Sequence, residues 1–511
     1  MRKILSLLVV TLVSALLLGI VSMRHKPATF EEYSLEGGEK FTPVDCWFDT
    51  GADTRVQCGW LSTMPANSFQ LPVVVIHYQG FDREPDPVVY LAGGPGYSAR
   101  LDKTTIENYW LNWFKSKSGL KRDLVLFDQR GSGLSKPDFN CEVFQALNAQ
   151  ALTQPVPPDE QAQRYRTANQ QCHDELVRKG VPLATLSTQT SAQDVGNLMQ
   201  LLGYQQWNLL GVSYGSRLAL EVQRLFPNNV RSLSLDSVYP PGEHLMREWP
   251  DLLQASLQRL FNYCSNNSQC IIENGDVRQR YQQLVAQLRR QPLLIPIIGS
   301  TVRELNSIQM NDETLLALLF DAQYVSRSLG GLASLLRHLQ EGRVEAPVVQ
   351  RHVKNYLFHQ FDPAFHEAAF WSVECRDNPP LTSHEIAQKL QQLPDLRYYL
   401  PDAYNVCDIW RGETQQAVLS VAQGRFQTPA LILSGADDPI TPLQWAEGLA
   451  SQHFVDNKAY LFRFNNIAHG VLDSKACADE LLVSFVNAPA QRPQADCRMG
   501  GADTRMVQQA F

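Results

Sequence analysis

Trp207-Asn-Leu-Leu-Gly-Val-Ser-Tyr-Gly-Ser216 is the stretch that decides how this 511-residue chain is read. An apolar run, Trp207 to Leu210, passes directly into Gly211-Val212-Ser213-Tyr214-Gly215, and Ser216, Leu218 and Ala219 open a helical pattern. Strand, tight turn and helix in immediate succession form the setting in which G-x-S-x-G presents a serine at the edge of a sheet on a sharp bend. The bend strains its central residue, so small residues must flank it, and Gly211 and Gly215 supply them. A serine hydroxyl is a poor nucleophile until a base takes its proton, so the motif demands a base and an orienting acid elsewhere in the chain.

Outward from this stretch, Leu71 to Tyr78, Pro87 to Leu91, Asp123 to Phe127 and Val230 to Asp236 read as apolar strands. Residues 150–190 read as helical and polar, one helix is expected to end at Gly203 and another at Phe226. Ser191 and Asp194 have the spacing of a capping box ahead of the helix ending at Gly203. Repeated alternation of strand and helix gives a mostly parallel sheet covered on both faces. From about Pro240 to Thr428 the pattern changes: Leu253, Leu257 and Leu260, then Leu315, Leu318 and Leu319, recur at helical spacing and β-rich runs are scarce. Pro429 to Ser434 and Ala459 to Phe464 resume the strand pattern. The expected organisation is an N-terminal export segment at 1–26, a catalytic α/β domain at 27–240 completed by 429–511, and a helical cap inserted at 241–428.

In the α/β-hydrolase arrangement the triad runs serine, acid, histidine along the chain, with the last two on loops after late strands. Pro429 to Ser434 ends at Gly435-Ala436-Asp437-Asp438-Pro439, and Asp438 is the expected acid because Pro439 fixes the turn behind it, with Asp437 in reserve. Only His453 and His469 lie beyond it. His453 falls in a helical stretch from Leu443 to Phe454, whereas His469 follows the last strand on a loop, so His469 is the expected base. Ala92-Gly93-Gly94-Pro95-Gly96 follows the strand ending at Leu91, and backbone amides of Gly94 and Tyr214 are the expected oxyanion hole; without the serine motif the same residues would read as a glycine-rich turn. Asp128-Gln129-Arg130-Gly131-Ser132-Gly133 closes another strand, with Arg130 expected as an ion-pair partner of Asp128.

A net charge of -7 excludes an extended phosphate-binding surface, so no nucleic-acid partner is expected. His366-Glu367 and His384-Glu385 begin an H-E-x-x-H zinc motif, but Phe370 and Gln388 stand at the fifth positions, and no P-loop is present. No metal or cofactor is therefore expected. Arg2 and Lys3 precede an uncharged apolar run from Ile4 to Met23, which is long enough to be either a cleaved signal or an uncleaved membrane anchor. Ten cysteines on an exported chain favour disulfides, and pairing neighbours in order gives Cys46–Cys58, Cys141–Cys172, Cys264–Cys270, Cys375–Cys407 and Cys477–Cys497.

Gly93-Gly94-Pro95-Gly96, Asp128-Gln129-Arg130-Gly131-Ser132-Gly133, Gly211-Val212-Ser213-Tyr214-Gly215, Asp438-Pro439-Ile440-Thr441-Pro442 and His469-Gly470 occur in that order. Together they resemble the prolyl and tripeptidyl aminopeptidase family of α/β-hydrolases, over about Leu71 to Cys477. The resemblance implies a hydrolase sheet with a helical cap, and cleavage of short peptides from a free N-terminus. Trp371-Ser372-Val373-Glu374-Cys375-Arg376-Asp377 resembles a cap segment of the tripeptidyl members, which implies Glu374 and Asp377 as binders of the substrate ammonium; a salt bridge with Arg376 is the competing reading. Trp371, Tyr398, Tyr399 and Trp410 are either a proline-accepting pocket or cap core. Ala92 and Ala468 depart from the family, standing where a histidine and a glycine are common. The expected function is an exported serine aminopeptidase. A carboxylesterase or lipase-like enzyme with the same triad is the alternative, and an inactive binding protein of the same fold is the third reading.

Overall fold

The computed structural model describes residues 33–495 apart from 52, 66–67, 300–303, 325–328, 379–381, 397–404, 412–424, 456–457 and 473–475. The apolar run from Ile4 to Met23, Tyr398, Tyr399 and Cys497 lie outside the described residues. Among the described residues no helix is long and apolar enough to cross a membrane.

Ten strands make one sheet: β1 (Tyr33–Ser34), β2 (Lys40–Val44), β3 (Arg55–Ser62), β4 (Gln70–His77), β5 (Val88–Leu91), β6 (Leu124–Phe127), β7 (Trp207–Val212), β8 (Val230–Asp236), β11 (Ala430–Gly435) and β12 (Ala459–Phe464). Their order is β1-β2-β3-β4-β6-β5-β7-β8-β11-β12. The pairs from β1 to β6 are antiparallel, and every pair from β6 to β12 is parallel.

Parallel strands are buried on both faces, which is why their sequences are continuous apolar runs. Alternate side chains then serve two different cores. Val73 and Val75 of β4, Val125 and Phe127 of β6, and Ala430 and Ile432 of β11 face one core. Val74, Ile76, Leu124, Leu126, Leu431 and Leu433 face the other, where they meet Leu481 and Phe485 of the helix Ala476–Asn487. The first core runs on without a break into Leu253, Leu257 and Leu260 of the helix Leu245–Ser265 and into Leu315, Leu318 and Leu319 of the helix Asp312–Tyr324. Between β8 and β11 the described elements are helices, apart from the two-stranded sheet β9 (Leu293–Pro296) and β10 (Ser307–Met310). The chain thus has the α/β-hydrolase fold with a mainly helical excursion between two neighbouring strands of the sheet.

Two local expectations are corrected. The helix expected to start at a Ser191–Asp194 capping box spans Thr188–Leu201, and its cap is Ser187, whose side chain accepts from Thr190 N. Asp194, two turns inside that helix, is buried and unavailable as a cap because Arg130 donates to both of its oxygens, at 2.6 and 2.7 Å. Arg130 therefore pairs with Asp194 rather than with Asp128. Asp128 instead accepts from the amides of Ala99 (2.7 Å) and Leu134 (2.8 Å), bracing the loop after β6; burial pushes its carboxyl up to about 7 against those donors.

Four of the five expected disulfides are formed: Cys46–Cys58, Cys141–Cys172, Cys264–Cys270 and Cys375–Cys407. The fifth expected pair ends on Cys497, outside the described residues.

Candidate active site

The bend after β7 has the predicted form. Ser213 sits at φ 57° and ψ -124°, a conformation outside the regular regions, directly before the helix Tyr214–Leu225. Both flanking glycines are required by close backbone approach. A Cβ on Gly211 would lie 2.3 Å from Gly215 O, and one on Gly215 would lie 2.0 Å from Leu91 O at the end of β5. The Ser213 amide donates to Asp236 O at 2.9 Å, which fixes the bend to the end of β8.

His469 and Asp438 meet on the loops after β12 and β11. His469 Nδ1 lies 2.8 Å from Asp438 Oδ2, and the carboxylate also accepts from Ile440 N (3.0 Å), Thr441 N (2.9 Å) and Thr441 Oγ1 (2.7 Å). Asp437, the reserve choice, points its main chain elsewhere, its carbonyl accepting from Arg259 at 2.6 Å. Burial alone would raise the Asp438 carboxyl, but the His469 ring and the Thr441 donors outweigh it and hold the group below the ordinary carboxylate range. Burial pulls the His469 imidazole down; Asp438 and, at longer range, Asp236 overcome that and raise it. The ring also makes an edge-to-face contact with Tyr324, with centroids 5.5 Å apart. His453 is the C-cap of the helix Leu443–Gln452, apart from this cluster.

The histidine loop is tied to the same strand end as the serine bend. Gly470 N donates to Ser237 Oγ at 2.9 Å, and Val471 N and Leu472 N donate to the two oxygens of Asp236, each at 2.9 Å. Asp236 thus ties down both the serine bend and the histidine loop, and Ser237 adds a further bond to the latter. Thr441, Tyr324, Asp236 and Ser237 were not singled out from the sequence. Thr441 alone carried a local signal, standing three residues after an Asp-Pro turn, where a side-chain oxygen bonds onward amides.

The glycine loop lies beside Ser213. A Cβ on Gly93 would stand 3.1 Å from Ser213 Cβ, so a side chain there would crowd Ser213. Gly94 has φ +106°, and its missing Cβ leaves room for the Gly96 and Tyr97 amides at 2.7 Å. Gln129 Nε2 donates to Ala92 O at 3.0 Å, bracing the loop at the position of the family's histidine. Gly94 and Tyr214, the two expected oxyanion donors, therefore belong to the two segments that flank Ser213.

Glu374 and Asp377 lie in the helix Glu367–Asp377, 2% and 4% exposed. Glu374 accepts from Tyr239 Oη at 3.0 Å and Asn378 Nδ2 at 2.6 Å. Asp377 accepts from Thr188 N at 3.1 Å and from the Thr188 hydroxyl, which is 2.7 Å from Tyr214 Oη. Burial pushes the two carboxyls up, to about 7 and about 6. Each acid thus already accepts from two donor groups of the protein. Arg376 reaches toward Leu183 O at 3.5 Å. Trp371 and Trp410 are buried and donate to Tyr165 Oη and Asn169 Oδ1, each at 2.8 Å, which makes them cap core.

A serine held on a strained bend after a parallel strand, with a histidine and a carboxylate converging from the loops after later strands, defines an α/β-hydrolase. A family model described as the alpha/beta hydrolase fold matches residues 86–284, and one described as TAP-like protein matches residues 397–497. The chain has the α/β-hydrolase fold and is similar to prolyl and tripeptidyl aminopeptidases. It is 31% identical to a tripeptidyl aminopeptidase of Streptomyces lividans over 39% of this chain and 38% of that protein. It is 24% identical to the serine protease Hip1 of Mycobacterium tuberculosis over 71% of this chain and 72% of that protein. To a proline iminopeptidase of Lactobacillus delbrueckii subsp. bulgaricus it is 27% identical over 39% of this chain and 50% of that protein. The chain thus matches under two fifths of the length of the tripeptidyl aminopeptidase. Among the described residues no group of histidines, cysteines and acids has the arrangement of a metal site.

Proposed function

We propose that this chain is an exported serine aminopeptidase that cleaves short peptides from a free N-terminus through Ser213, His469 and Asp438. The observation that carries the reading is the 2.8 Å contact between His469 Nδ1 and Asp438 Oδ2, with the histidine loop anchored to Asp236, the residue that also anchors the Ser213 bend. With Nδ1 engaged by the carboxylate, the other ring nitrogen is the basic one. His469 takes the proton as Ser213 Oγ adds to the scissile carbonyl carbon, and Asp438 steadies the imidazolium. The developing oxyanion is held by the amides of Gly94 and Tyr214. His469 then protonates the leaving nitrogen, the C–N bond breaks, and water repeats the sequence on the acyl-enzyme to release the acid and free Ser213.

Peptidase specificity rests on the relatives named tripeptidyl aminopeptidase and proline iminopeptidase. Export, with the segment 4–23 as cleaved signal or membrane anchor, rests on that segment's composition and on the four disulfides, which persist in oxidising compartments. The deciding experiment is release of a chromogenic amine from free and N-acetylated mono- to tripeptide substrates, with Ser213→Ala as control. Turnover confined to free N-termini and lost in the variant supports the proposal. Equal turnover of blocked substrates, or action on simple esters alone, overturns it in favour of an esterase.

A further inference from the structure

The glycine loop beside Ser213 is held from two sides. On the side of the sheet, Gln129 braces Ala92, Asp128 Oδ1 accepts from Ala99 N at 2.7 Å, and Trp110 Nε1 donates to Ala99 O at 2.8 Å. The other side belongs to the cap. His366 N donates to Gly96 O at 3.1 Å, Ser98 N donates to Ala364 O at 2.9 Å, and Tyr97 and Phe365 form an antiparallel bridge. A Cβ on Gly96 would stand 2.6 Å from His366 O and 2.9 Å from Phe370 N, so loop and cap meet backbone to backbone.

Asp362 fastens this seam with its side chain. Oδ1 accepts from Ala364 N at 3.0 Å and sets the turn that brings Ala364 to Ser98. Oδ2 accepts from Tyr97 Oη at 3.2 Å and from the guanidinium of Arg100. A buried carboxylate is stable in its charged form when it is paired and hydrogen-bonded, and this one, 4% exposed, draws both of those donors from the glycine loop. Arg100 has φ 54°, in the left-handed region where a residue with a side chain is strained. Such a conformation persists where its surroundings over-determine it. Here Asp362 holds the side chain, and Ser98 Oγ accepts from the Arg100 amide at 3.0 Å.

The path from Asp362 to the serine is short. The amide nitrogens of Gly96 and Tyr97 stand 2.7 Å from where a Cβ on Gly94 would lie, and Gly93, the next residue, packs on Ser213. A shift of Tyr97 is therefore passed to Gly94 through backbone contacts that leave no slack.

We propose that Asp362 is a positioning residue: through this one carboxylate the cap holds the glycine loop where the Gly94 amide meets the developing oxyanion. The inference rests on the serine aminopeptidase reading and adds to it a dependence of the chemical step on the cap.

The test is steady-state kinetics of the full chain on the free-amine mono- to tripeptide nitroanilide that wild type turns over best, with the boronic acid of the same peptide as a second probe. Ser213 Oγ adds to boron as its proton passes to His469, and a boron hydroxyl takes the place of the oxyanion in the tetrahedral adduct. Asp362→Asn is nearly isosteric and keeps an acceptor for Ala364 N, but it removes the charge that holds Arg100. Its kcat should fall about 10–100-fold with KM within about twofold of wild type, and the boronic acid should bind more weakly by a similar factor. Tyr97→Phe, which keeps the ring against Phe365, should lose about 3–10-fold in kcat, and it decides alone if Asp362→Asn does not fold. The double variant should lose little more than Asp362→Asn, because both changes break one contact. Asp395→Asn is the control for stability: this buried carboxylate accepts from Arg278 at 2.7 Å within the cap, so its loss should lower Tm and leave kcat unchanged. A lowered Tm with normal kcat and boronic acid affinity in Asp362→Asn, or a loss confined to KM, would overturn the assignment and leave the aminopeptidase reading in place. Wild-type turnover that survives Ser213→Ala would overturn both.

Discussion

Replacing Gly215 by alanine tests how tightly the serine bend is coupled to the glycine loop after β5. A Cβ there would stand 2.0 Å from Leu91 O, 2.7 Å from Leu91 C and 3.0 Å from Ala92 O. Nonbonded carbons do not approach closer than about 3 Å, so the end of β5 must retreat by about 1 Å, the difference between that limit and the 2.0 Å contact. Leu91 is in parallel register with Gly211 of β7 in the middle of the sheet and has little freedom to move. Overpacking of this kind costs about 1–3 kcal/mol. The same shift carries Ala92 and Gly93 away from Ser213, and a displacement of about 1 Å at a reacting centre lowers the rate about 100-fold. Urea denaturation and turnover of a free-amine nitroanilide measure the two effects. Gly448→Ala is the control, since a Cβ at Gly448, inside the helix Leu443–Gln452, meets nothing within 4 Å. That change should stabilise by about 0.5–1 kcal/mol. A Gly215→Ala protein within about 0.5 kcal/mol of wild type and with normal kcat would refute the coupling.

Asp438→Asn should lower kcat about 10³–10⁴-fold by removing the charge that orients and stabilises the imidazolium. Because His469 is held above its ordinary value, largely by Asp438 against the pull of burial, the acid limb of wild-type kcat/KM should lie above pH 6.5 and move down in the variant. Arg130→Met should destabilise by about 3–5 kcal/mol in denaturant, because it leaves Asp194 buried without its partner, and adding Asp194→Leu should recover most of the loss. Glu374 and Asp377 have folded values raised by burial to about 7 and about 6, so their contribution to stability is full below the unfolded carboxyl range and is lost as pH rises through those values. Tm should therefore be higher at pH 5 than at pH 8 as far as these groups decide it, and Glu374→Gln should flatten the difference.

The strands of the parallel sheet were legible because burial on both faces writes them as unbroken apolar runs, and β7, β8, β11 and β12 fall within a residue or two of the expected bounds. The bend at Ser213 and the pairing of His469 with Asp438 were legible because their loops follow such strands in a fixed order. Partners far apart in sequence were not. Arg130 was assigned to Asp128, two residues away, whereas the fold brings it Asp194 from a helix. Ser187 caps that helix because the chain is still extended there, at φ -160°, a property with no single-residue signature. Tyr324 against His469 and the Glu374–Tyr239 contact depend on how the cap closes over the sheet, which periodicity does not encode.

Asp236 and Ser237 have a consequence for how such a chain can change over time. Ser213 is joined to the end of β8 by one backbone bond, and the histidine loop is joined to the same place by three more. The spacing of Ser213 and His469 is thus inherited from a few ångströms of strand rather than from the roughly two hundred residues of cap threaded between them. Insertions, exchanges and drift within the cap can reshape the surroundings of Ser213 without resetting its spacing from His469. Selection on the cap and selection on the Ser213–His469 spacing act here on separable parts of one polypeptide.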